Sequence, residues 1–452
     1  MMGDMARTSL SGFPEWRPEG RIVEQFVLDH LRRVFELHGF AGIETRAVET
    51  LDELEKKGET SKEVYALERL QALKDAEAGR RAPSERRMGL HFDLTVPFAR
   101  YTIENANDLD FPFKRYQIQK VWRGERPQEG RFREFTQADI DVVGAGELPF
   151  HYEVDLPLVM AEALTSLPLP PVHVLVNNRK VVQGVCESIG VADVEAALRG
   201  LDKLDKIGPE GVREELAESG IPEGSAGVLL EMAGIRSDDP EAVRAGIADL
   251  GVSGDLLEEG LGELCALLEA AAARLPGVVV ADLRIARGLD YYTGSVYETV
   301  MEGHEDLGSI CSGGRYDSLA TDGKRTYPGV GLSIGVSRLV SRMLSAPLVR
   351  ASRKVPTAVL VAVTDETLRA HSDGVAARLR ARGVPTDVAP SAAKFGKQIR
   401  HADRRGIPFV WFPGEDAPDT VKDIRTGVQV EADAATWMPP EADLAPRVEV
   451  VG

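Results

Sequence analysis

The stretch RGERPQEGRFREF at residues 123–135 places four arginines beside two phenylalanines within a short length of chain. Arginine binds phosphate or carboxylate through two parallel hydrogen bonds, and it also stacks on flat rings. Phe132 and Phe135 could offer a ring face to a planar base. The combination therefore suits a nucleotide polyphosphate. The composition alone also fits a solvated hairpin whose glutamates neutralise the arginines.

Two further stretches contain residue types that suit a small ligand with a charged group and a polar ring. In HFDLTVPFARY (91–101), Asp93 and Thr95 are two residues apart, and on an extended strand they would share one side. In ARGLDYYTG (286–294), Arg287 precedes two tyrosines in a turn bounded by glycines. The alternative for the tyrosine pair is simple packing, with one ring in the core and the other at the surface.

A β-hairpin is expected to position the arginine-rich stretch. FKRYQIQKVW (113–122) and ADIDVV (138–143) predict strands on either side of it, and Pro127 and Gly130 mark the loop. GVGLSIG (329–335) predicts another strand, which leads into the helix VSRLVSRML. Its glycines permit close approach of a ligand or a neighbouring strand, but they lack the spacing of a dinucleotide-binding fingerprint.

The remaining elements before residue 345 indicate a large mixed domain. An amphipathic helix is predicted over residues 19–38, and residues 52–88 are charged and irregular. Ala, Leu and Glu dominate helical runs over about 180–270, which predicts a helical insertion. Strands return at 278–285 and 295–300.

Beyond a linker at 346–356, alternating strands and helices predict a small domain with a mostly parallel sheet. The series runs through TAVLVAV, a helix to about 382, PTDVAP, a helix over 393–405 and IPFVWF, with a hairpin near Thr426 and Gly427. The second helix carries basic side chains at three- and four-residue spacing, namely Lys394, Lys397, Arg400, His401 and Arg404. Such a face is either a solvated surface or a contact for RNA phosphates.

Composition limits the class of protein. The 452 residues are 43% hydrophobic and 28% charged, which is typical of a soluble chain with two or three domains. The net charge of −18 leaves nucleic-acid binding to local basic patches. Apolar runs are too short to span a membrane, and the N-terminus lacks a signal or transit pattern. Three dispersed cysteines and eight scattered histidines predict a cytoplasmic protein without a dedicated metal site.

Several of these motifs, in this order, resemble those of the histidyl-tRNA synthetases, a family of class II aminoacyl-tRNA synthetases. The matching stretches are FKRYQIQKVWRGERPQEGRFREFTQADIDVVG (motif 2), ARGLDYYTGSVYE (histidine box), CSGGRYDSL and GVGLSIGVSRLV (second histidine box and motif 3), DLTVPFARY (before motif 2), VNNRK and LDKLDKIG (insertion) and KFGKQIRHADRRGIPFV (anticodon-binding domain). The resemblance covers nearly the whole chain.

The resemblance implies the fold class, a multidomain α+β and α/β protein. A class II antiparallel-sheet catalytic core is expected over 1–345, with the helical insertion at about 180–270. The linker at 346–356 is expected to join it to an α/β anticodon-binding domain over 357–452. A homodimer is also implied, although Arg46 stands where motif 1, which builds the dimer interface in this class, usually has proline.

The resemblance also implies an ATP site. Arg123 is expected on the α-phosphate and on the carboxylate of the amino acid, and Glu125 on the adenine. Phe135 and Arg338 are expected on the two faces of the adenine ring. Arg131 is expected near the outer phosphates, together with Mg²⁺ bound to them.

For L-histidine, the resemblance implies a pocket in which Asp93 holds the α-ammonium and Asp141 accepts a hydrogen bond from the imidazole. The other residues implied to contact histidine are Thr95, Arg123, Gln137, Arg287, Tyr291, Tyr292 and Tyr316. Arg287 is further implied to be catalytic with Arg123, on the α-phosphate where related enzymes place a metal ion. A pocket that pairs both imidazole nitrogens rejects isosteres that lack them.

The function implied is that of a histidine–tRNA ligase, which makes histidyl-adenylate and pyrophosphate from L-histidine and ATP and then transfers histidine to the 3′ end of tRNA(His). The alternative is a catalytically inert paralogue that acts as a regulatory subunit of ATP phosphoribosyltransferase. Such paralogues generally lack the C-terminal domain and the arginine of the histidine box. A tRNA-binding module without catalysis is a third possibility, but it would not need an arginine clamp for ATP.

Overall fold

The computed structural model of the chain describes residues 10–55, 63–77, 87–285, 291–415 and 417–451. The chain forms two compact units. The first unit comprises Met1–Pro14 and Val27–Ser341, and the second comprises Glu15–Phe26 and Arg342–Gly452. None of the helices in the described ranges has the length and apolar character needed to cross a membrane.

Both units contain helices and strands. The helices of the described residues are α1 (Pro18–Leu37), α2 (Leu51–Leu54), α3 (Leu70–Glu77), α4 (Thr95–Asn105), α5 (His151–Thr165), α6 (Arg179–Ser188), α7 (Val194–Leu201), α8 (Leu204–Glu218), α9 (Glu223–Ala233), α10 (Pro240–Asp249), α11 (Asp255–Arg274), α12 (Val336–Ser345), α13 (Arg369–Ala381) and α14 (Phe395–Arg405). The strands are β1 (Ala41–Gly42), β2 (Val48–Thr50), β3 (Ala66–Leu67), β4 (Met88–Leu90), β5 (Phe113–Trp122), β6 (Glu134–Val143), β7 (Val172–Asn178), β8 (Arg236–Ser237), β9 (Val279–Asp282), β10 (Tyr292–Met301), β11 (Cys311–Tyr316), β12 (Gly329–Gly335), β13 (Val349–Ala351), β14 (Val359–Val361), β15 (Thr386–Val388), β16 (Phe409–Phe412), β17 (Thr420–Asp423), β18 (Gln429–Glu431) and β19 (Val448–Val450).

A large sheet organises the first unit. Its strands within the described ranges follow the order β1-β5-β6-β12-β11-β10-β7-β9-β8. The central pairs β5–β6, β6–β12, β12–β11 and β11–β10 are antiparallel, whereas β1–β5 and β7–β9 are parallel. Side chains alternate between the two faces of each strand. The predicted antiparallel core is therefore present, and its central strands are the ones that carry the candidate site residues.

The predicted hairpin around the arginine-rich stretch is confirmed. Strands β5 and β6 pair from Phe113 opposite Val143 to Trp122 opposite Glu134. The loop between them closes through a bridge between Gln128 and Arg131, and Gly130 takes the left-handed conformation with φ of 70°. The loop thus folds back over the end of the hairpin.

The predicted helical insertion corresponds to α6–α11, with the short strand β8 among them. Helices α6 and α11 cross closely because each presents a glycine at the crossing. A Cβ added to Gly184 would lie 2.6 Å from the backbone nitrogen of Leu257, and one added to Gly260 would lie 2.7 Å from that of Val181. A larger residue at either position would force the helices apart.

The expectation that Asp93 and Thr95 lie on an extended strand is wrong. Thr95 is the first residue of α4, and the Oδ1 atom of Asp93 accepts a hydrogen bond from the backbone nitrogen of Val96 at 3.2 Å. The carboxylate thereby satisfies one of the unpaired N–H groups of the first helical turn. The helix buries Val96 and Phe98, so tertiary packing overrides the apparent alternation of the sequence.

The second unit contains a sheet of order β15-β14-β16-β17-β18 in the part that is described. Strands β15, β14 and β16 are parallel, and β17 and β18 form the predicted hairpin, with Gly427 at φ of 80°. Helix α13 packs on the face that carries Val359 and Val361, whereas α14 packs on the face that carries Leu360 and Ala362. The two helices therefore lie on opposite sides of this sheet.

The stretch expected to be a linker, residues 346–356, contains a strand. Val349–Ala351 forms β13 and pairs with β19, which lies almost a hundred residues further along the chain. The buried side chain of Arg353 donates to the carbonyl oxygens of Val355, Pro356 and Asp443 at 3.1, 2.9 and 2.8 Å. Burial lowers the pKa of Arg353, which is nonetheless held by these three acceptors. This part of the chain is thus integrated into the second unit.

Replacing Arg353 with methionine should lower the free energy of unfolding of the second unit by about 3 kcal/mol, because three carbonyl oxygens would lose a charged donor. Urea unfolding of the full chain measures the change. Arg350→Met is the matched control, since this exposed side chain makes only a surface ion pair with Glu449 at 3.2 Å, and it should cost about 0.5 kcal/mol or less. Equal losses in both variants would contradict a structural role for Arg353.

Candidate functional site

The loop end of the β5–β6 hairpin forms one wall of a pocket of about 110 Å³. The opposite wall comes from residues 309–312, from the end of β12 and from the start of α12. The residues of the nucleotide prediction all line this pocket, namely Arg123, Glu125, Arg131, Phe135 and Arg338, together with Gln137 of the histidine prediction. Side chains from three separate parts of the sequence therefore converge on one space.

Arg123 is held in the pocket by its own neighbours. Its Nε atom donates to the carbonyl oxygen of Phe92 at 2.9 Å, and its guanidinium lies 5.1 Å from the centre of the Phe135 ring. The carboxylate of Glu125 is 3.9 Å away. This arrangement fixes a positive charge beside an aromatic face before any ligand arrives.

Arg338 reaches across from α12 and ties the hairpin loop to the opposite wall. Its Nε atom donates to the carbonyl oxygen of Gly130 at 2.9 Å, and its Nη1 atom donates to that of Ser309. A Cβ on Gly130 would lie 2.7 Å from Leu307 Cδ1 and 3.3 Å from Arg338 Cγ. Glycine is therefore required there both for its positive φ and for the space that Arg338 occupies.

Glu63 is a pocket neighbour that the sequence did not single out. Its carbonyl oxygen accepts a hydrogen bond from the backbone nitrogen of Gly124 at 2.7 Å. Burial, followed by the nearby carboxylate of Glu125, raises the pKa of Glu63. Because Glu63 lies in a charged, irregular stretch without periodicity, only the three-dimensional contact reveals it.

Deeper along the same face of the sheet, Asp141 on β6 is held by two buried partners. Its Oδ2 atom lies 2.7 Å from Nη2 of Arg115 on β5, and its Oδ1 atom accepts a hydrogen bond from the hydroxyl of Tyr316 at 2.7 Å. Arg115 is fully buried. It is a second residue that the sequence analysis did not propose, because a lone arginine in an alternating strand is usually solvent-facing.

Glycines on β11 and β12 make room for these side chains. A Cβ on Gly331 would lie 2.0 Å from Asp141 Oδ1, and one on Gly329 would lie 2.5 Å from the Tyr316 ring. A Cβ on Gly314 would lie 2.9 Å from the ring of Tyr292. The glycine pattern thus accommodates side chains of neighbouring strands, in addition to the close backbone approach that the sequence predicted.

Tyr291 and Tyr292 lie beside this cluster with their ring centres 4.2 Å apart. Both rings are partly buried and pack against Phe98, Val143 and Tyr316. The interpretation in which one ring is buried and the other is at the surface is therefore wrong. Their packing places them beside the cluster, and whether they contact a ligand stays a prediction.

An irregularity in β10 sets the position of Tyr292. The pairing of β10 with β11 shifts register between Tyr292 and Val296. The buried carboxylate of Glu153 accepts from the backbone nitrogen of Ser295 at 3.0 Å and from Nη1 of Arg315 at 2.7 Å. Such bulges re-aim side chains at the edge of a site.

Asp139 extends the buried polar row between Asp141 and the pocket. It shares a hydrogen bond with the hydroxyl of Ser333, which in turn accepts from Nε2 of Gln137 at 2.7 Å. Burial raises the pKa of Asp139 to about 7, with Arg115 opposing the rise and Asp141 adding to it. The sequence could have indicated Asp139, since Gln137, Asp139 and Asp141 are two residues apart and share one face of the predicted strand.

The remaining predicted residues are placed as follows. Asp93 is buried at the start of α4, and it lies close enough to Asp139 and Tyr291 to influence their ionisation. Thr95 is half-buried in the first turn of the same helix. Arg287 lies outside the described residues.

The basic residues of α14 form an exposed face on the second unit. Lys394, Lys397, Arg400 and Arg404 are exposed, whereas Gln398 and Ala402 on the other side of the helix are buried. His401 is half-buried and lies 3.2 Å from Arg405. The helix is therefore amphipathic in the predicted sense, with its charge turned to solvent.

The comparisons with known proteins agree with this arrangement. A family model described as histidyl-tRNA synthetase matches residues 12–339, and one described as an anticodon binding domain matches residues 357–435. The histidine–tRNA ligase of Micrococcus luteus is 59% identical over 451 residues, which is 98% of each chain, and that of Thermobifida fusca is 52% identical over 95% of this chain and 98% of its own.

Among solved structures, a crystal structure of histidyl-tRNA synthetase from Nostoc sp. PCC 7120 superimposes with a TM-score of 0.82. It is 34% identical and covers 95% of this chain and 98% of its own. A Bacillus halodurans protein titled as an ATP phosphoribosyltransferase regulatory subunit/histidyl-tRNA synthetase superimposes with a TM-score of 0.71 at 19% identity, over 89% of this chain and 98% of its own. That second likeness concerns the fold alone.

The raised pKa of Asp139 predicts a specific pH dependence of stability. Because its pKa rises from 3.8 to about 7 on folding, the stabilisation from protonation is fully present below the lower value and is lost as pH rises through the higher one. The free energy of unfolding of the unaltered chain, relative to Asp139→Asn, should fall by about 1.4 kcal/mol per pH unit between these values and then level off. Urea unfolding of both chains across this range measures it, and a difference independent of pH would refute the assignment.

Proposed function

Because the chain belongs to the histidyl-tRNA synthetase family, we propose that it is a histidine–tRNA ligase that forms histidyl-adenylate from L-histidine and ATP and then charges tRNA(His). The enzyme class is that of the aminoacyl-tRNA synthetases. The observation that supports an active catalytic centre is the pocket in which Arg123, Phe135 and Arg338 converge with Glu125 and Arg131.

In the first step, the carboxylate of histidine attacks the α-phosphate of ATP. A carboxylate is already a competent nucleophile, so the step needs positioning and charge neutralisation more than a base. Arg123 supplies a fixed positive charge at the junction of the nucleotide pocket and the histidine cluster. Arg131 faces the outer phosphates, and Arg287 contributes a further charge on the α-phosphate.

Phe135 and Arg338 bind the adenine between them, and Glu125 fixes its edge. The Phe135 ring lies beside the guanidinium of Arg123, and Arg338 is anchored to Gly130, so neighbouring groups hold both side chains that are proposed to bind the ring. Preorganised walls reduce the entropy lost on binding.

Histidine occupies the cluster deeper along the sheet. Asp93 holds the α-ammonium and Asp141 accepts from the imidazole, with Tyr316 fixing the carboxylate of Asp141. The other contacts come from Thr95, Gln137, Tyr291 and Tyr292. These polar groups are buried, so a ligand that does not hydrogen-bond to them leaves them without a partner. The binding free energy lost in this way discriminates against that ligand.

In the second step, the terminal ribose hydroxyl of tRNA takes the histidyl group. The second unit is proposed to bind the anticodon stem and loop, and the exposed basic face of α14 supplies phosphate contacts. Local positive charge is needed there because the chain as a whole carries a net charge of −18.

Mg²⁺ is proposed to enter with ATP. No set of three or more acidic, histidine or cysteine side chains gathers to hold a metal among the residues whose positions are described. Mg²⁺ usually binds through substrate phosphates and one or two carboxylates, and Glu125 lines the pocket with Glu63 beside it. The chain is further proposed to be a homodimer in the cytoplasm. Its three buried free cysteines, Cys186, Cys265 and Cys311, fit the reducing conditions of that compartment.

The regulatory-subunit alternative is disfavoured by the relatives. The histidine–tRNA ligases match along almost the full length of both chains, and an anticodon-binding domain is present. A regulatory paralogue would also have no need for Arg123 and Arg338 in a nucleotide pocket.

The first test is histidine-dependent exchange of pyrophosphate into ATP without tRNA. Arg123→Met should reduce the rate by at least about 100-fold, because one fixed charge at the reacting phosphate is lost. Arg126→Met is the matched control, since Arg126 is an exposed arginine of the same loop that does not line the pocket. No exchange by the unaltered chain, despite measurable binding of histidine, would reject the ligase in favour of the regulatory subunit.

The tRNA proposal has a separate test. Arg400→Glu should raise the KM for tRNA by about tenfold and make it less sensitive to salt, while pyrophosphate exchange stays unchanged. Arg378→Glu reverses a charge on α13, which packs on the opposite face of the sheet, and serves as the control. Equal effects of the two substitutions would contradict a docking role for α14.

A further inference from the structure

Arg115 is a buried cation that none of the roles above requires. It lies on β5 opposite Asp141, has no exposed surface, and places Nη2 2.7 Å from Asp141 Oδ2. Its guanidinium also lies 4.2 Å from the centre of the Phe98 ring. Burying a full charge in such a place is costly unless it serves a partner.

The hydrogen bonding of Arg115 is unusual for a purely structural arginine. None of its three guanidinium nitrogens has a hydrogen-bond partner within the described part of the chain, and Nη2 meets Asp141 as an ion pair. Arg353, by contrast, directs all three of its guanidinium nitrogens at carbonyl oxygens. Arg115 therefore acts mainly through its positive charge, which pairs with the carboxylate of Asp141.

Both carboxylate oxygens of Asp141 have a partner, and a glycine on the neighbouring strand leaves room for the group. Tyr316 donates to Oδ1, Arg115 faces Oδ2, and Gly331 leaves the space that the carboxylate fills. A carboxylate oxygen can accept more than one hydrogen bond. The contacts with Tyr316 and Arg115 therefore fix the orientation of the group that is proposed to face the imidazole.

The charge balance of the cluster determines which form of imidazole it accepts. An isolated buried carboxylate would stabilise imidazolium, because an opposite charge raises the pKa of histidine. With Arg115 in place, the Arg115–Asp141 pair carries no net charge, so this pair no longer favours imidazolium over the neutral ring. The other ionisable groups that face the cluster are Asp139 on β6, Asp93 before α4, Tyr316 on β11, and Tyr291 and Tyr292 at the start of β10.

We propose that Arg115 is a positioning residue that aims the ionised Asp141 and cancels its charge, so that the site binds histidine with a neutral imidazole ring. This inference rests on the proposed function, because it takes Asp141 as the imidazole acceptor. The proposal predicts how many protons are taken up when histidine binds. Removing Arg115 removes one positive charge, and histidine should then bind with one additional proton on its ring, relative to the free chain and free histidine.

Calorimetric titration of histidine into the full chain, in buffers of different ionisation enthalpy, measures this proton count without requiring catalysis. At pH of about 8, free imidazole is neutral, so the unaltered chain should take up few protons. Arg115→Met should take up about one proton more. Both chains lose affinity as the α-amino group of histidine deprotonates, so the ratio of the Kd of Arg115→Met to that of the unaltered chain is compared, and it should rise by up to about tenfold per pH unit on the alkaline side. Arg115→Lys keeps the charge and should behave like the unaltered chain.

Arg100→Met is the matched control for loss of a buried arginine. Arg100 is nearly buried and pairs with Glu49 at 2.8 Å, outside the cluster. Its loss should lower thermal stability without changing the proton count. Equal proton counts in Arg115→Met and the unaltered chain, or equal uptake in Arg115→Lys and Arg115→Met, would overturn the proposal.

If Arg115→Met does not fold, the charge pair is tested from its other member. Asp141→Asn leaves Arg115 uncompensated and should weaken histidine binding, and adding Arg115→Met to it should restore at least part of the loss. A double variant that binds worse than Asp141→Asn would overturn the proposal. If the unaltered chain binds histidine but shows no pyrophosphate exchange, the ligase proposal is rejected, and the proton count still decides the role of Arg115. If the unaltered chain binds no histidine, both the ligase proposal and the Arg115 proposal are overturned.

Discussion

The register of the antiparallel strands β5, β6 and β12 determines where the buried polar row of the site lies. Arg115 faces Asp141, Gln117 faces Asp139, and the opposite edge of β6 brings Asp139 to Ser333. A slip by one residue would turn these side chains to the other face of the sheet. Backbone hydrogen bonds within the sheet therefore set the positions of these buried charges, whereas Arg123 and Asp93 come from the segments after β5 and before α4.

The same register explains why small residues accompany the charges. Asp141, Tyr316 and Tyr292 lie across strands, above Gly331, Gly329 and Gly314 respectively. A sheet face normally has side chains at all of these positions. Glycines at these positions leave depressions in which a neighbouring side chain can lie, so the site is recessed into the face of the sheet.

Local patterns allowed the hairpin and its loop to be predicted, because alternation, Pro127 and Gly130 all act within a few residues. The same kind of pattern predicted a strand at Thr95, where the structure has a helix. The carboxylate of Asp93 accepts a hydrogen bond from the first turn of that helix, and the helix buries Val96 and Phe98. The roles expected for the nucleotide residues came from resemblance, and the structure shows those residues around one pocket.

Arg115, Glu63 and the strand β13 were not predictable for a common reason. Each is defined by a partner distant in sequence, namely Asp141, Gly124 and β19. A buried arginine in an alternating strand has the same local pattern as an exposed one, and an edge strand of three residues resembles a linker. Non-local pairing carries information that composition and periodicity do not contain.

The pairing of β6 with β12 also has a consequence for biosynthesis. Gln137 and its partner Gly335 are separated by the whole helical insertion, and Arg338 follows directly after. A ribosome adding about 5–20 residues per second needs on the order of 10–40 s to make the intervening chain. During that interval the hairpin can form, but the second wall of the nucleotide pocket does not yet exist. The pocket proposed to bind ATP therefore cannot be complete until the insertion has been synthesised and has left the exit tunnel.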